Sequence, residues 1–169
     1  MAWPVVIETE SPAGTKEAAA HLAGLCVPGD AILLIGDLGA GKTAFAQGFG
    51  GGLGVAEPIT SPTFTLVRQY AVPEGSSVGT LLHADVYRLD HLHEIVDLGL
   101  GQLVEDGAVA LVEWGDSAEP ILGRGALVVA IAPGDEDDDR VITLEASGGG
   151  WGDRWVRLGE AVAPWGAGT

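Results

Sequence analysis

Residues 36–43 fit the pattern G-x-x-x-x-G-K-[ST], with Gly36, Gly41, Lys42 and Thr43 at its fixed positions. Glycines let the backbone of such a loop curl until successive N–H groups face the oxygens of a phosphate. Lys42 would reach the β- and γ-phosphates of a nucleotide, and Thr43 would offer its hydroxyl to Mg²⁺. A glycine-rich turn that fits by chance is the alternative, at about one chain in a hundred or fewer. The predicted nucleotide-binding residues are Gly36, Asp37, Leu38, Gly39, Ala40, Gly41, Lys42, Thr43 and Ala44.

Two acidic residues stand at the ends of apolar segments farther along the chain. Asp85 follows residues 81–84, and Glu113 follows residues 109–112. Because ligands of α/β sheets bind at the carboxyl ends of the strands, either residue is a candidate for a second magnesium ligand or for orienting an attacking water. An ordinary acid at the end of a strand is the alternative for both. The predicted catalytic residues are Lys42, Asp85 and Glu113.

Three hydroxyl residues, Ser61, Thr63 and Thr65, form a further candidate group. They lie in a proline-containing segment after the helix of the phosphate loop, where related ATPases place a nucleotide-sensing switch. Such hydroxyls could contact magnesium or water. Hydroxyl groups in loops more often cap turns, and that alternative stays open.

The elements that must position these residues follow from hydrophobic patterning. The apolar run 31–35 predicts a strand buried on both faces directly before the loop. A helix should follow the loop to about Phe49, where a run of glycines weakens it. Further predicted elements are a helix over 15–25 with Thr15 as its cap, a helix over 91–98, strands over 63–70, 80–87 and 108–114, a hairpin of 126–132 with 140–146, and a short amphipathic helix carrying Trp151, Trp155 and Leu158. This mixture predicts an α/β sandwich with a late hairpin.

Length and charge restrict the function classes. The chain of 169 residues suits one domain, expected over residues 1–160, with a loose tail over 161–169. The formal net charge is −16, from 24 acidic and 8 basic residues. Such a surface repels phosphate backbones, so we expect contact with nucleic acid only through a partner.

The cysteine count and hydropathy indicate the compartment. Cys26 is the single cysteine, which excludes an internal disulfide and fits a reducing environment. No uncharged apolar run approaches the roughly 20 residues of a membrane span, and the first residues lack a secretory pattern. The sequence therefore predicts a cytoplasmic protein with no membrane association.

Four segments together resemble one known family. They are residues 36–43, 61–67 (Ser-Pro-Thr-Phe-Thr-Leu-Val), 83–89 (His-Ala-Asp-Val-Tyr-Arg-Leu) and 112–114 (Val-Glu-Trp). Their order and spacing are similar to those of TsaE, the ATPase of bacterial threonylcarbamoyladenosine tRNA modification, over residues 15–116. The resemblance implies a P-loop NTPase-type three-layer sandwich, with a mixed, mainly parallel central sheet and a C-terminal hairpin.

The resemblance also implies an activity and partners. ATP, bound with Mg²⁺, would be hydrolysed to ADP, weakly by the chain alone and faster with TsaB and TsaD homologues. TsaD transfers threonylcarbamoyl to adenosine 37 of tRNAs reading ANN codons, so tRNA would be met only through the complex. By position, residues 39–44 would hold phosphates, Thr43 and Glu113 would ligate Mg²⁺, Asp85 would support the metal or its water, and Thr63 and Thr65 would belong to the switch. Trp114 would lie near the nucleotide or pack.

Two other functions remain as alternatives. A small-metabolite P-loop kinase would use Asp85 as a base, but such kinases usually carry an arginine-rich lid, and the six arginines here are scattered. A non-catalytic nucleotide-binding module would keep Lys42 but could dispense with Glu113. The acidic run 135–139 lacks the glycine and terminal glutamate of a calcium loop, so we interpret it as a solvated hairpin tip or a docking patch for a basic partner.

Overall fold

One mixed sheet organises the chain. The computed structural model describes residues 4–37, 39–60, 67–85, 99–113, 125–146 and 149–166. Its strands lie in the order β1-β7-β6-β2-β5-β4-β3. They are β1 (Val5–Thr9), β2 (Ala31–Ile35), β3 (Val67–Ala71), β4 (Thr80–Asp85), β5 (Val109–Glu113), β6 (Leu127–Pro133) and β7 (Arg140–Ala146).

The four central strands are parallel and the outer ones are antiparallel. Strand β2 pairs in parallel with both β5 and β6, and β4 pairs in parallel with β5. Strands β3, β7 and β1 extend the sheet antiparallel at its two sides. The predicted α/β fold class and C-terminal hairpin are confirmed. Strands β2 and β5 are apolar almost throughout because helices cover both of their faces.

Helices cover both faces of the sheet. They are α1 (Pro12–Ala23), α2 (Lys42–Leu53), α3 (Leu100–Glu105), α4 (Gly149–Asp153), α5 (Trp155–Ala161) and a 3-10 turn (Ala163–Trp165). The larger core joins α1, α2 and the C-terminal helices to one sheet face. Leu100 of α3 packs in a smaller core on the other face. No helix in these described ranges has the length and hydrophobicity needed to span a membrane.

The first helix begins earlier than its sequence predicts. Ser11, not Thr15, is the N-cap, and its hydroxyl accepts the N–H of Gly14 at 3.0 Å. Pro12 occupies the first turn, where the missing N–H of proline costs no hydrogen bond. Thr15 is instead buried inside the helix, with its hydroxyl 2.7 Å from that of Thr9. The predicted cap was wrong because both Ser11 and Thr15 suit an N-cap. Only the contact of Thr15 with Thr9 of β1 distinguishes them.

The second helix passes through the glycines that were expected to end it near Phe49. It ends at Leu53, before Gly54 in a left-handed conformation (φ 91°). A side chain at Gly48 would overlap the backbone of Lys16, and one at Gly52 would lie 2.6 Å from Cα of Ala20. These glycines therefore allow α2 to pack closely on α1, and that packing outweighs their low helix propensity.

The ends of the described chain also differ from expectation. Strand β1 was not predicted, because a short edge strand has little pattern of its own. Residues 161–166 were expected to form a loose tail, but Val162 is buried and Trp165 packs edge-on against His21 at 5.0 Å. Helix α3 was also not predicted. The predicted helix 91–98 and the predicted strand segments 63–66, 86–87 and 114 lie outside the described residues.

Candidate functional site

The glycine-rich loop leaves the carboxyl end of β2 and opens α2. Gly39 (φ 82°) and Gly41 (φ 108°) adopt left-handed conformations, and Gly41 is the N-cap of α2. A Cβ at Gly36 would stand 2.8 Å from the carbonyl oxygen of Ile131, so only glycine fits there. The positive end of the α2 helix dipole faces the loop, and no side chain of the N-cap Gly41 bonds to the first N–H groups of the helix.

Lys42, the first residue of α2, is buried beside the loop. Its Nζ donates a hydrogen bond to the carbonyl oxygen of Gly36 at 2.8 Å. Burial lowers the pKa of the Lys42 ammonium, and the nearby carboxylates of Glu113, Asp85 and Asp37 oppose that shift in this order. The Lys42 ammonium group therefore lies close enough to these three carboxylates for them to stabilise its charged form.

The two acidic candidates stand side by side. Asp85 at the end of β4 and Glu113 at the end of β5 are register partners, and Glu113 also pairs with Leu34 of β2. Both lie at the sheet edge from which the glycine-rich loop departs, because all three strands are parallel. Glu113 is buried and Asp85 is half-buried. The sequence placed both acids at strand ends, and the register brings them together.

The remaining loop positions differ in accessibility. Asp37 and Thr43 are exposed, whereas Ala40 is buried and Ala44 is half-buried. Thr43 follows Lys42 in the first turn of α2, so its hydroxyl is accessible at the loop. The predicted site residues Leu38, Ser61, Thr63 and Thr65, together with Trp114, lie outside the described residues.

These residues fit a magnesium–nucleotide complex better than a protein-only metal site. Within the part of the chain that the structure describes, no three His, Cys, Asp or Glu side chains cluster to hold an ion. Magnesium is commonly bound by one or two carboxylates together with substrate phosphates. The Thr43 hydroxyl and the Glu113 and Asp85 carboxylates at a phosphate-type loop are such a donor set.

His83, which contacts Glu113, was not predicted as a site residue. The ring Nε2 of His83 lies 3.0 Å from Oε2 of Glu113, and both side chains are buried. A carboxylate only accepts hydrogen bonds, so His83 Nε2 donates this one. The other ring nitrogen, Nδ1, is buried and has no hydrogen-bond partner among the described residues. The available signal was the spacing of His83 and Asp85, which puts them on one face of β4.

Arg140 was also missed as a loop contact. It begins β7, and its Nε donates to the carbonyl oxygen of Ala40 at 2.7 Å. Residue Arg140 is 100 positions from Ala40 in the chain, so no local pattern connects them. This contact joins the late hairpin to the phosphate loop.

A cavity of about 540 Å³ adjoins Arg140. Its walls come from the end of β1, the start of α1, the β6–β7 turn and the 3-10 turn, and include Glu10, Ser11, Asp135 and Trp165. The acidic groups disfavour a phosphate there and favour a neutral polar group with hydrogen-bond donors. An aromatic side chain and hydrogen-bond acceptors suit a nucleoside.

Comparison with known proteins identifies relatives that match most of the chain. The family model described as "Threonylcarbamoyl adenosine biosynthesis protein TsaE" matches residues 9–142. The tRNA threonylcarbamoyladenosine biosynthesis protein TsaE of Bacillus subtilis is 41% identical over 140 residues, covering 83% of this chain and 84% of that protein. The protein of the same name from Streptomyces coelicolor is 40% identical over 151 residues, covering 87% and 97%.

A solved structure gives the same result for the fold. The crystal structure of Bacillus subtilis YdiB superposes with a TM-score of 0.72 and 35% identity, covering 97% of each chain. Matches of this identity and coverage require a common fold and a common ancestor. The loop at β2, the acids at β4 and β5 and all of β6 lie inside the span matched by the family model, which ends within β7. This chain therefore belongs to the TsaE family of threonylcarbamoyl adenosine biosynthesis proteins.

Proposed function

We propose that this chain is the ATPase subunit for threonylcarbamoyladenosine modification of adenosine 37 in tRNAs reading ANN codons. It binds and hydrolyses ATP with magnesium and so drives turnover of a TsaB–TsaD transferase. Membership of the TsaE family supports a role for this chain in threonylcarbamoyladenosine biosynthesis. The observation that carries the ATPase proposal is the loop geometry, in which left-handed Gly39 and Gly41 lead into a helix that begins at the buried Lys42.

The loop would hold the phosphates of ATP. Residues 39–44 offer backbone N–H groups and a helix N-terminus, and Lys42 supplies the cation. The Nζ of Lys42 already lies at the loop through its bond to the carbonyl oxygen of Gly36. A phosphate beside Lys42 would favour its charged form and so counteract the burial that lowers its pKa.

Magnesium, when bound, would neutralise charge on the phosphates and polarise the γ-phosphorus for attack by water. Thr43 and Glu113 would ligate it. His83 would hold the Glu113 carboxylate in one orientation through the 3.0 Å hydrogen bond. Asp85, the register partner of Glu113, would orient either a metal-bound water or the attacking one.

The base and ribose would occupy the cavity beside Arg140. Its acidic residues Glu8 and Glu10 can accept hydrogen bonds from ribose hydroxyls or an exocyclic amine, and Trp165 offers an apolar ring face. The cavity shares Arg140 with the loop, since that residue lines the cavity and donates to Ala40. A nucleotide could therefore reach both regions at once.

Partners would supply the contact with tRNA. A formal net charge of −16 disfavours direct binding to a polyanion, so tRNA would be met only through the TsaB–TsaD complex. Because tRNA occurs in the cytoplasm, we propose that compartment for the chain.

The binding test compares the two lysines of the chain. Lys42→Met should abolish the calorimetric heat of ATP with magnesium, whereas Lys16→Met, which alters an exposed residue of α1, should leave it unchanged. Both variants remove one positive charge, so a general charge effect would appear in both. Equal ATP affinity of the wild type and Lys42→Met would contradict the proposed phosphate site.

The pathway test uses purified components. Multiple-turnover modification of tRNA by TsaB and TsaD should require this chain and ATP hydrolysis. Glu113→Ala should strongly slow the release of ADP that hydrolysis produces. Full turnover without this chain would defeat the assignment. Equal ADP release by the wild type and Glu113→Ala would favour a non-catalytic nucleotide-binding module.

A further inference from the structure

Arg140 makes an unusual set of contacts for a residue next to an acidic turn. It follows residues 135–139, a run of five acids, and four of its hydrogen bonds go to backbone carbonyl oxygens. Nη1 donates to Asp137 and Asp139, each at 2.7 Å. Nε donates to Ala40 at 2.7 Å, and Nη2 reaches Gly39 at 3.4 Å. One side of the guanidinium therefore holds the turn, and the other holds the phosphate loop.

The Ala40 contact fixes the orientation of one peptide group. In a trans peptide the C=O and the following N–H point in opposite directions, and the described chain contains no cis peptide bond. Because the Ala40 carbonyl accepts a hydrogen bond from Arg140, the N–H of Gly41 points away from the guanidinium. In a loop of this kind, successive N–H groups would meet phosphate oxygens on its concave side.

Two further distances describe how the loop is held. A Cβ added at Gly41 would stand 3.4 Å from Nε of Arg140, so the guanidinium lies against this residue. The preceding amide, that of Ala40, donates to the carbonyl oxygen of Asp37 at 3.0 Å. The loop is thus held by an internal turn on one side and by Arg140 on the other.

We propose that Arg140 is a positioning residue for the phosphate loop, which it holds so that the Gly41 N–H faces the phosphate site. This inference rests on the proposed function, because it concerns the same nucleotide site. Arg140 acts on phosphate through the Ala40–Gly41 peptide and ties that peptide to the β6–β7 turn. A surface segment of the late hairpin thereby helps to set the shape of the loop.

Arginine suits this role better than lysine. Its planar group donates from Nε, Nη1 and Nη2 in fixed directions, so it can bond two segments at once. A lysine ammonium keeps the charge but lacks the fork. Substitution by lysine therefore separates an effect of geometry from an effect of charge.

The experiment compares the wild type with Arg140→Met, Arg140→Lys and Arg157→Met. Arg157 is exposed on α5, so its substitution is the matched control for loss of one positive charge. Calorimetry should show Arg140→Met binding ATP with magnesium about tenfold more weakly, because charged hydrogen bonds that orient the loop are lost. Arg140→Lys should remain close to Arg140→Met, and Arg157→Met should match the wild type.

A readout without nucleotide distinguishes positioning from general stability. Hydrogen exchange of the Ala40 amide should be at least about tenfold faster in Arg140→Met, while core amides of β2 exchange as in the wild type. Equal exchange and wild-type affinity in Arg140→Met would overturn the inference. Wild-type ATP affinity in Arg140→Lys would also overturn the inference, because a positive charge alone would then be enough to hold the loop. If Arg140→Met does not fold, Arg140→Lys provides the test. Failure of the wild type to bind ATP would instead defeat the proposed function itself.

Discussion

At the scale of single residues, the candidate site holds several ionisable side chains in buried positions, where the charged form of a side chain is disfavoured. Lys42, Glu113 and His83 are all buried, and Asp85 lies beside Glu113 in the sheet. Isolated charges in such a place would be costly, so each needs a partner. His83 supplies one for Glu113, and the carboxylates oppose the lowering of the Lys42 pKa. A polyphosphate with its metal would complete this balance.

The His83 contact gives a prediction about the proposed metal ligand. Replacement by leucine removes the donor to Glu113 and should lower kcat for ATP hydrolysis by about 10–100-fold, the range seen when a partner of a metal ligand is lost. The requirement for magnesium should rise, while ATP affinity changes little because the loop is untouched. Steady-state kinetics over a magnesium series would measure both.

A glutamine at position 83 is the matched control. Its amide nitrogen can stand near the place of the histidine Nε2, so His83→Gln should retain most of the activity. If His83→Leu hydrolysed ATP with the wild-type kcat and magnesium dependence, the histidine would be a packing residue only.

At the scale of elements, the contact of α1 with α2 depends on glycine. The low helix propensity of residues 48–54 suggested an early end to α2, yet the helix reaches Leu53. Gly48 and Gly52 are four positions apart and so lie on one helix face, directly against Lys16 and Ala20. Close backbone approach there holds the phosphate-loop helix on the first helix and hence on the sheet.

Two glycine-to-alanine substitutions in α2 should have opposite effects on stability. Gly48→Ala should lower the free energy of unfolding by about 2 kcal/mol or more, because its methyl group would overlap the Lys16 backbone. Gly51→Ala should raise it by about 0.5–1 kcal/mol, since that position has open space and alanine favours the helix.

Urea unfolding of both glycine variants beside the wild type would measure these changes. The two substitutions are identical in chemistry and three positions apart on one helix, so their difference isolates packing from propensity. Similar changes in both would show that α2 does not rely on close contact at Gly48.

At the scale of the whole molecule, a buried ion pair fastens the C-terminal helices to the body. Arg154 donates two hydrogen bonds to Asp30, at 2.7 and 2.8 Å, and one to the carbonyl oxygen of Leu25 at 2.7 Å. It also lies over the ring of buried Trp151, 4.0 Å from its centre. The hydrogen bond to Asp30 raises the pKa of Arg154. The C-terminal helices are thus joined to the turn that enters β2, across a sequence separation of 124 residues.

Breaking that pair should be strongly destabilising. Arg154→Met leaves the Asp30 carboxylate buried without its cation, which should lower the free energy of unfolding by about 3–5 kcal/mol. Arg157→Met on the exposed side of α5 should stay within about 0.5 kcal/mol of the wild type. Thermal or urea unfolding of the two variants would measure the difference, and equal stabilities would contradict an energetic role for the pair.

The sequence alone determined the features that depend on neighbouring residues. The loop 36–43 follows from glycines and a lysine at fixed spacing, strand 31–35 from a continuous apolar run, and the β6–β7 hairpin from two alternating segments around a polar turn. Each is encoded by local backbone preference and hydrophobic periodicity, which can be read along the chain. The loop 36–43 is also one of the four segments that carried the family resemblance, which the comparisons confirmed.

Only the tertiary structure decided which distant residues meet. The bond of His83 to Glu113 spans 30 positions, and that of Arg140 to Ala40 spans 100. Such contacts leave no periodic signal, because strand order and register set them rather than the residues between. The length of α2 was decided in the same way, since its glycines disfavour helix locally and favour it only against α1. Burial and close packing supply free energies that an isolated segment does not have.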